Sequence, residues 1–188
     1  MKTERIERVR AALRAQGLTQ MIVCDPKSVW YLTGVAVEPY ERLLALYLPI
    51  EGEPVLFLNR LFNVPNPPCK AVWHTDTDAP VAQIAATVDA EKPLGIDKEW
   101  PAKFLIPLME THPGMQVVLS SDCVDDCRAC KDAEEQALMR EASRINDEVN
   151  EAAKHYVKIG MTEREVAEFI DAQYRAHGCE GPSFTTIV

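Results

Sequence analysis

The 188-residue sequence lacks the segments and motifs that mark several common classes of protein. It has no run that approaches the roughly 20 apolar residues needed to span a bilayer. Its opening, MKTERIERVR, lacks the apolar region of a signal peptide, and we therefore expect a cytoplasmic protein. G-x-S-x-G, the P-loop and G-x-G-x-x-G are also absent, so the sequence does not support the usual acyl-transfer or nucleotide-binding sites.

Positive charge is scarce and dispersed. The chain has 20 Lys and Arg against 29 Asp and Glu, a formal net charge of -9, and the acids are spread along it. Binding to phosphates depends on concentrated Lys and Arg, so the composition argues against a nucleic-acid partner. With 47% hydrophobic and 26% charged residues, the composition is that of a globular protein and not of a disordered or fibrous one.

Histidine is rare, and its spacing does not indicate a metal site. The four histidines form no H-x-H or H-E-x-x-H pattern, and we interpret each as a surface or boundary residue. They are His74, His112, His155 and His177. Asp76 and Asp78 could join His74 as metal ligands, but Asp78 shortly before Pro80 is also typical of a helix N-cap, and we favour the cap.

The first 120 residues alternate between short apolar runs and amphipathic stretches. We predict strands at residues 21–24, 43–48, 55–58, 71–74, 94–97 and 116–119. The second and third of these strands are joined by the turn PIEGEP and should pair antiparallel. We predict helices at residues 3–16, 26–33, 78–88 and 100–112, the last one kinked or broken at Pro107. Asp25 and Pro26 fit the N-cap and the first residue of the second helix. This alternation is typical of an α/β layer fold with a mixed sheet. The continuous apolar runs indicate that the sheet is covered on both faces.

From Asp132 onward the pattern is helical only. One apolar stripe recurs at steps of three and four residues and stops at Gly160. Its members are Leu138, Ala142, Ile145, Val149, Ala152, Tyr156 and Ile159. Thr162 and Glu165 have the spacing of a capping box that begins a second helix. These two helices and the nascent strand SFTTIV cannot bury their apolar side chains against each other alone. Either they fold back on the first region or the natural protein continues, and we favour the second alternative.

Half of the six cysteines lie in the stretch SDCVDDCRACK, residues 121–131. The spacing of Cys123, Cys127 and Cys130 resembles the cluster loop of radical S-adenosylmethionine enzymes. That loop follows the first strand of a barrel, however, and too little chain remains to build one. A zinc site would need a fourth ligand. The same spacing puts the three thiols on one face of a helix capped by Asp122, and we favour this helix over a metal or cluster site.

A polar and aromatic loop follows the sequence YLTG and precedes a buried strand. It contains Glu38, Tyr40 and Arg42. Loops in such positions often carry function. A simple connection in which Arg42 pairs with a nearby acid explains the same residues equally well.

The order of these elements resembles that of one enzyme family. The stretches RIERVRAALRAQGLTQMIVCDPKSVWYLTG, ERLLALYLPIEGEPVLFLN, GIDKEW, RACKDAEEQALMREASRINDEV, IGMTEREVAEFI and PSFTTIV are similar to the front of a prolidase or Xaa-Pro aminopeptidase, a creatinase/prolidase-type metallopeptidase. The resemblance implies an N-terminal mixed-sheet α/β domain at residues 1–121 and a linking helix at residues 122–131. Residues 132–188 would be the start of an incomplete α+β pita-bread domain. The first strands of that domain would begin at SFTTIV.

The resemblance also implies a reaction, the hydrolysis of the bond before proline by a water molecule that bridges two divalent metals, manganese or cobalt. The family's metal ligands, two Asp, one His and two Glu, would fall after SFTTIV, so we assign none here and expect the chain as given to be inactive. Family members that dimerise place this domain near the partner's active-site mouth. The resemblance thus implies a homodimer in which Glu38, Tyr40 and Arg42 border the path of an Xaa-Pro peptide.

Two other functions fit the same architecture. A creatinase-like enzyme would hydrolyse a non-peptide C–N bond with the same fold. A protein-binding or dimerisation module, like the pita-bread-like chaperones, would bind partners without catalysis. The presence or loss of the metal-ligand series separates the enzymes from the binding module.

Overall fold

The computed structural model describes every residue, Met1–Val188, and contains six strands and seven helices. The strands are β1 (Gln20–Val23), β2 (Ala45–Pro49), β3 (Val55–Asn59), β4 (Lys70–His74), β5 (Leu94–Ile96) and β6 (Val117–Leu119). The helices are α1 (Thr3–Ala15), α2 (Pro26–Thr33), α3 (Pro80–Ala85), α4 (Ala102–Thr111), α5 (Asp122–Ala129), α6 (Ala133–Tyr156) and α7 (Glu163–Ala176). The chain divides into two compact units, Met1–Cys130 and Lys131–Val188. None of the helices combines the length and the apolar character needed to cross a membrane.

The first unit is built on one six-stranded sheet with the strand order β4-β3-β2-β1-β5-β6. Strand β1 pairs antiparallel with β2 and parallel with β5, so that Ile22 lies opposite Tyr47 on one side and Ile96 on the other. Strands β2 and β3 form the antiparallel pair that the sequence predicts, whereas β3–β4 and β5–β6 pair in parallel. The predicted α/β fold with a mixed sheet is confirmed.

Apolar side chains cover both faces of this sheet, as its continuous apolar runs predict. Met21 and Val23 of β1 belong to a core cluster with side chains of α1, α2 and α5. Ile22, between them in sequence, belongs to a second cluster with side chains of α3 and α4. The alternation follows from the two-residue period of a strand. A strand that is buried on both faces therefore has an uninterrupted apolar sequence.

Helix α5 packs in the core of the first unit. Cys123, Val124 and Cys127 are buried in the cluster that α1 and α2 share. The backbone carbonyl oxygen of Cys127 accepts hydrogen bonds from the Tyr31 hydroxyl (3.0 Å) and from Arg8 Nη2 (3.2 Å). The helical prediction for this stretch is confirmed, and its two buried cysteines act as small apolar side chains.

Two details of the predicted cysteine helix are wrong. Cys130 lies just past α5, exposed and with extended backbone angles (φ -95°, ψ 97°), so it does not share the buried face. Asp122 is the first helical residue and not the N-cap, a position that Ser121 occupies without a side-chain cap bond. Ser121 Oγ instead accepts from the N–H of Lys98 (2.7 Å). This tertiary contact competes with the cap, and no local pattern reveals it.

Asp78 and Pro107 also differ from the sequence expectation. Asp78 does not cap α3, because its carboxylate accepts from Thr75 N–H (2.6 Å) and Thr75 Oγ1 (2.8 Å) and closes the turn before the helix. Helix α4 continues through Pro107 instead of breaking there. The missing N–H of one proline removes a single helical hydrogen bond. Leu108 beside it is fully buried, so its packing offsets that loss.

The second unit contains α6 and α7, and each begins with a capping box. Thr162 Oγ1 accepts from the N–H of Glu165, and the Glu165 carboxylate accepts from the N–H of Thr162, which confirms the prediction for α7. Asp132 and Glu135 form an equivalent box at the start of α6. Their three-residue spacing is visible in the sequence DAEE, so a box at this helix start is also encoded locally.

An aromatic pair joins the two helices of the second unit. The rings of Tyr156 and Phe169 stack with their centroids 3.8 Å apart. Of the predicted apolar stripe, Val149 is buried, whereas Leu138 and Ile159 are exposed. The prediction of a strand at SFTTIV is wrong, since residues 179–188 form no regular element. A strand needs a neighbouring strand to bond its backbone, and the second unit contains no other one.

Gly95 in β5 occupies a position where a side chain does not fit. A Cβ atom there would lie 2.5 Å from Ser120 Oγ and 3.2 Å from the carbonyl oxygen of Gln20. We expect Gly95→Ala to lower the free energy of unfolding by about 2 kcal/mol through overpacking, measured by urea denaturation. Adding Ser120→Ala should recover part of the loss, because it removes the nearest atom. Gly181, where a Cβ would meet nothing within 4 Å, is the matched control, and equal stability of both alanine variants would contradict the packing.

Candidate functional site

Three parallel strands end at the same edge of the sheet, and polar residues follow each of them. Cys24 and Asp25 follow β1, Asp97 follows β5, and Ser120 and Ser121 follow β6. In open α/β sheets, ligands bind in the crevice outside the carboxyl ends of the strands. This edge, named here the carboxyl edge and defined by these five residues, is therefore the candidate functional site.

Asp97 organises the carboxyl edge through hydrogen bonds to backbone amides. Its side chain is buried, and its Oδ2 accepts from the N–H groups of Cys24 (2.5 Å) and Asp25 (2.8 Å). Its Oδ1 accepts from the N–H of Glu99 (3.0 Å). Hydrogen bonds of this kind stabilise a buried carboxylate without a cation. Asp97 therefore joins the end of β1 to the end of β5.

The thiol of Cys24 is held in its protonated form. Cys24 Sγ donates a hydrogen bond to Asp97 Oδ1 at 3.0 Å. Burial raises the pKa of this thiol far above its ordinary value, and the negative charge of Asp97 raises the pKa further. Because the thiolate is the nucleophilic form of cysteine, Cys24 is not a candidate nucleophile.

Asp25 connects the carboxyl edge to α2 and α5. Its carboxylate caps α2, as predicted, by accepting from the N–H of Ser28 (2.9 Å), and it also accepts from Ser28 Oγ (2.7 Å). Arg128 Nη1 on α5 donates to Asp25 Oδ2 (3.1 Å) and to Ser28 Oγ (3.0 Å). Burial raises the pKa of Asp25, but hydrogen bonds from Ser28 and Lys27 and the charge of Arg128 outweigh it. The pKa of Asp25 therefore lies below its ordinary value.

Two open cavities flank Asp25. The first, of about 220 Å³, lies between α2 and α5 and has charged groups of both signs in its lining. These groups are Asp25, Lys27, Asp97, Lys98, Glu99, Asp125 and Arg128. The second cavity, of about 210 Å³, is lined in part by Trp100, Pro101 and Phe104. The first is therefore suited to a small polar group, and the second to a partly apolar one.

The three loop residues singled out in the sequence come together at the second cavity. Glu38, Tyr40 and Arg42 all line it. Arg42 forms a two-bond pair with Asp76, in which the Nε–Oδ1 and Nη2–Oδ2 distances are both 2.9 Å. Asn59 Nδ2 donates to the same carboxylate (2.8 Å), and the hydrogen bond from Arg42 lowers the pKa of Asp76. The acid pairing that the sequence allowed for Arg42 is therefore present, and it anchors the end of the loop.

Tyr40 is presented to solvent by an uncommon backbone conformation. Its φ is 51°, which makes it the one non-glycine residue of the chain with positive φ, and its side chain is 80% exposed. Such a conformation is uncommon for residues other than glycine. The loop therefore holds the ring at the rim of the second cavity, and its contact with a substrate stays a prediction.

His74 is buried and is not the surface or boundary residue that we expected from the sequence. Its Nε2 lies 3.1 Å from the carbonyl oxygen of Leu43, and its Nδ1 lies 3.4 Å from Asn59 Nδ2. Asp76 and Asp78 are the other candidate metal ligands from the sequence. Asp76 instead accepts a hydrogen bond from Arg42, and Asp78 accepts one from Thr75. No group of three or more His, Cys, Asp or Glu side chains is arranged to hold a metal ion.

Sequence reasoning did not find Asp97, Ser121 or Arg128 as members of a site. The signal for Asp97 is its position directly after the buried strand LGI, since a polar residue there lies at the carboxyl edge. Ser121 and Arg128 carry no such signal. Their partners, Lys98 and Asp25, are 23 and 103 residues away along the chain.

The chain matches two known protein-family models. Residues 5–130 match the Creatinase/Prolidase N-terminal domain, and residues 137–188 match metallopeptidase family M24. The first match covers more than half of the chain. The protein therefore belongs to the creatinase/prolidase family, with the N-terminal domain followed by part of an M24 peptidase domain, as the resemblance predicts.

The relatives of the chain are peptidases. Uncharacterized peptidases of Staphylococcus epidermidis and Staphylococcus haemolyticus are 27% and 26% identical to it, over 98% of this chain and 53% of each relative. The chain thus spans about half the length of the curated relatives it matches. Dipeptidase PepE from Mycobacterium ulcerans superposes with a TM-score of 0.84 at 26% identity, over 97% of this chain and 51% of that chain. A dipeptidase from Pyrococcus horikoshii OT3 does so with a TM-score of 0.80 at 27% identity, over 96% and 52%.

We expect the Asp97 hydrogen bonds to stabilise the first unit strongly. Asp97→Ala leaves the N–H groups of Cys24, Asp25 and Glu99 without their acceptor, which should lower the free energy of unfolding by on the order of 3 kcal/mol. Urea denaturation followed by circular dichroism measures the change. Glu99→Gln, at the exposed neighbouring acid, is the control and should leave stability unchanged. Equal stability of Asp97→Ala and the parent chain would show that these bonds do not hold the edge.

Proposed function

We propose that this chain is the N-terminal portion of a metal-dependent Xaa-Pro dipeptidase or aminopeptidase, which hydrolyses the peptide bond before proline. The observation that carries the proposal is the similarity of 97% and 96% of the chain to two dipeptidases, at 26% and 27% identity. The match of residues 137–188 to family M24 supports the same conclusion. Peptide hydrolysis is favoured over creatine hydrolysis because these two relatives are dipeptidases.

The first unit would contribute binding surfaces and not chemistry to this reaction. The Cys24 thiol is held protonated by burial and by Asp97, so it offers no nucleophile. The Asp97 carboxylate already accepts hydrogen bonds from three backbone amides and from the Cys24 thiol. What remains accessible is the lining of the two cavities beside Asp25.

The proposal includes two divalent metal ions, manganese or cobalt. When bound, such a pair supplies an activated water molecule and polarises the peptide carbonyl. The 188 residues do not fit that role, because they gather no group of three or more metal-ligating side chains. We derive no catalytic step from them. In this proposal the ligands belong to the region that corresponds to the other half of the relatives.

We further propose that the enzyme is a cytoplasmic homodimer in which the loop at the second cavity borders the substrate path of the partner. The six cysteines are all free thiols, which suits a reducing compartment. The exposed ring of Tyr40 and the exposed acid Glu38 leave the loop available for contacts. Arg42 holds that loop to Asp76, so the loop meets a substrate in a fixed shape.

The proposed reaction is tested with paired dipeptides. We expect the complete enzyme to cleave dipeptides with proline second at least tenfold faster than their alanine counterparts, and to lose this activity when a chelator removes manganese or cobalt. The 188-residue chain, which gathers no ligand group, should be inactive. Cleavage that is indifferent to proline, or activity on creatine instead, would contradict the proposal.

The loop is tested at its exposed aromatic residue. Tyr40→Ala should change kcat/KM for Xaa-Pro dipeptides by roughly tenfold, a free energy of about 1.4 kcal/mol. The urea midpoint should not change, since the side chain is 80% exposed. Leu61, which is 70% exposed, supplies the matched control, because Leu61→Ala should alter neither quantity. If the parent enzyme, Tyr40→Ala and Leu61→Ala have the same kcat/KM, the loop lies outside the substrate path.

A further inference from the structure

Two cysteines at the end of α5 differ sharply in accessibility. Cys127 is 7% exposed and belongs to the apolar core of the first unit. Cys130 follows the helix and is exposed, and both are free thiols. The sequence CRAC has the C-x-x-C spacing of dithiol redox motifs. The Cys130 thiol can therefore react with a reagent in solution, whereas the Cys127 thiol is shielded from it.

The helix geometry places the two cysteines within reach of each other. The N–H of Cys130 still donates to the carbonyl oxygen of Asp126 (3.4 Å), so Cys130 completes the last turn. Three residues of α-helix separate two Cα atoms by about 5 Å. Disulfides join Cα atoms that are roughly 4.4–6.8 Å apart. A bond between Cys127 and Cys130 needs little movement, and the extended backbone at Cys130 leaves its side chain free to turn.

The surroundings of Cys127 support a role as the second thiol of such a pair. Burial raises the pKa of Cys127, and the nearby Arg8 guanidinium opposes that rise. Arg8 is fixed there by its hydrogen bond to the Cys127 carbonyl oxygen (3.2 Å). A positive charge beside a thiol stabilises the thiolate.

We propose that Cys127 and Cys130 form a redox-active dithiol that takes low-molecular-weight disulfides, such as oxidised glutathione, as its oxidant. The Cys130 thiolate attacks one sulfur of the oxidant, breaks its S–S bond and releases one thiol, leaving a mixed disulfide on Cys130. The Cys127 sulfur then attacks Cys130 Sγ and breaks the mixed disulfide, and the Cys127 proton passes to the departing thiolate, which leaves as the second thiol. Two protein thiols are oxidised, and one small disulfide is reduced to two thiols.

The position of the pair gives the bond a structural consequence. Cys130 is the last residue of the first unit, directly before Lys131. A disulfide ties the backbone at this boundary to α5, whose end is already bound by Arg8 and Tyr31. Oxidation thus fixes Cys130, the last residue of the first unit, to α5.

Peptide mapping tests the proposal on the unmodified chain. The protein is incubated with oxidised glutathione in mildly alkaline buffer, where thiolates form, then quenched with acid and digested with trypsin without reductant. Trypsin cleaves after Arg128 and so separates Cys127, in residues 104–128, from Cys130, in residues 129–131. We expect these two peptides to be joined, with a mass lower by two hydrogen atoms than the sum of the separate reduced peptides.

The partner of Cys130 is identified by a second digestion. Cleavage before Asp125 and Asp126 separates Cys123 from Cys127, so the cross-linked peptide reveals which of the two is bonded. Cys130→Ser, at an exposed position, should lose the cross-link completely. Cys127→Ser should retain glutathione on Cys130, and Cys123→Ser, the matched buried control, should keep the cross-link. A stable glutathione adduct on Cys130 of the parent chain, or a cross-link to Cys123, would overturn the proposal.

Discussion

The first unit depends on one carboxylate shared by two strand ends. Asp97 follows β5 and accepts hydrogen bonds from two consecutive amides, those of Cys24 and Asp25, that follow the parallel strand β1. These bonds set the direction in which the chain leaves β1, and so the point at which Asp25 caps α2. They also bury the Cys24 thiol beside a negative charge, which keeps it protonated. The path of the chain after β1, the capping of α2 and the protonated state of the Cys24 thiol therefore all depend on Asp97.

The same edge connects distant parts of the chain. Asp25 and Ser28 bind Arg128 near the end of α5, and Tyr31 binds the carbonyl oxygen of the preceding residue. The end of α5 is therefore held by α2, although some 100 residues separate them in sequence. Such an arrangement stiffens the first unit and shapes its cavities, and the buried Cys24 thiol beside Asp97 offers no nucleophile.

Local patterns predicted the features that local energies control. The Asp25 cap with proline after it, the Thr162 capping box, the β2–β3 pairing and the apolar strands are all present, because each depends on groups a few residues apart. The errors have two causes, a contact with a residue far away in the chain and a competing local turn. Ser121 Oγ binds Lys98 and leaves the cap of α5 empty, and Asp78 binds Thr75 instead of capping α3. In each case the sequence allows the side chain either to cap the helix or to bind another group. The contact with Lys98 decided the first case, and the turn closed by Thr75 decided the second.

The sequence by itself determined the α/β class, the order of its elements and the family, because periodicity and motif order survive without knowledge of partners. It also indicated that the cysteine stretch is helical. Only the tertiary structure decided that Asp97 joins two strands, that His74 is buried and that Cys130 leaves the face on which Cys123 and Cys127 lie. The first two depend on hydrogen bonds between residues far apart in the chain, which leave no local pattern. The third depends on the backbone angles at Cys130, where α5 has ended.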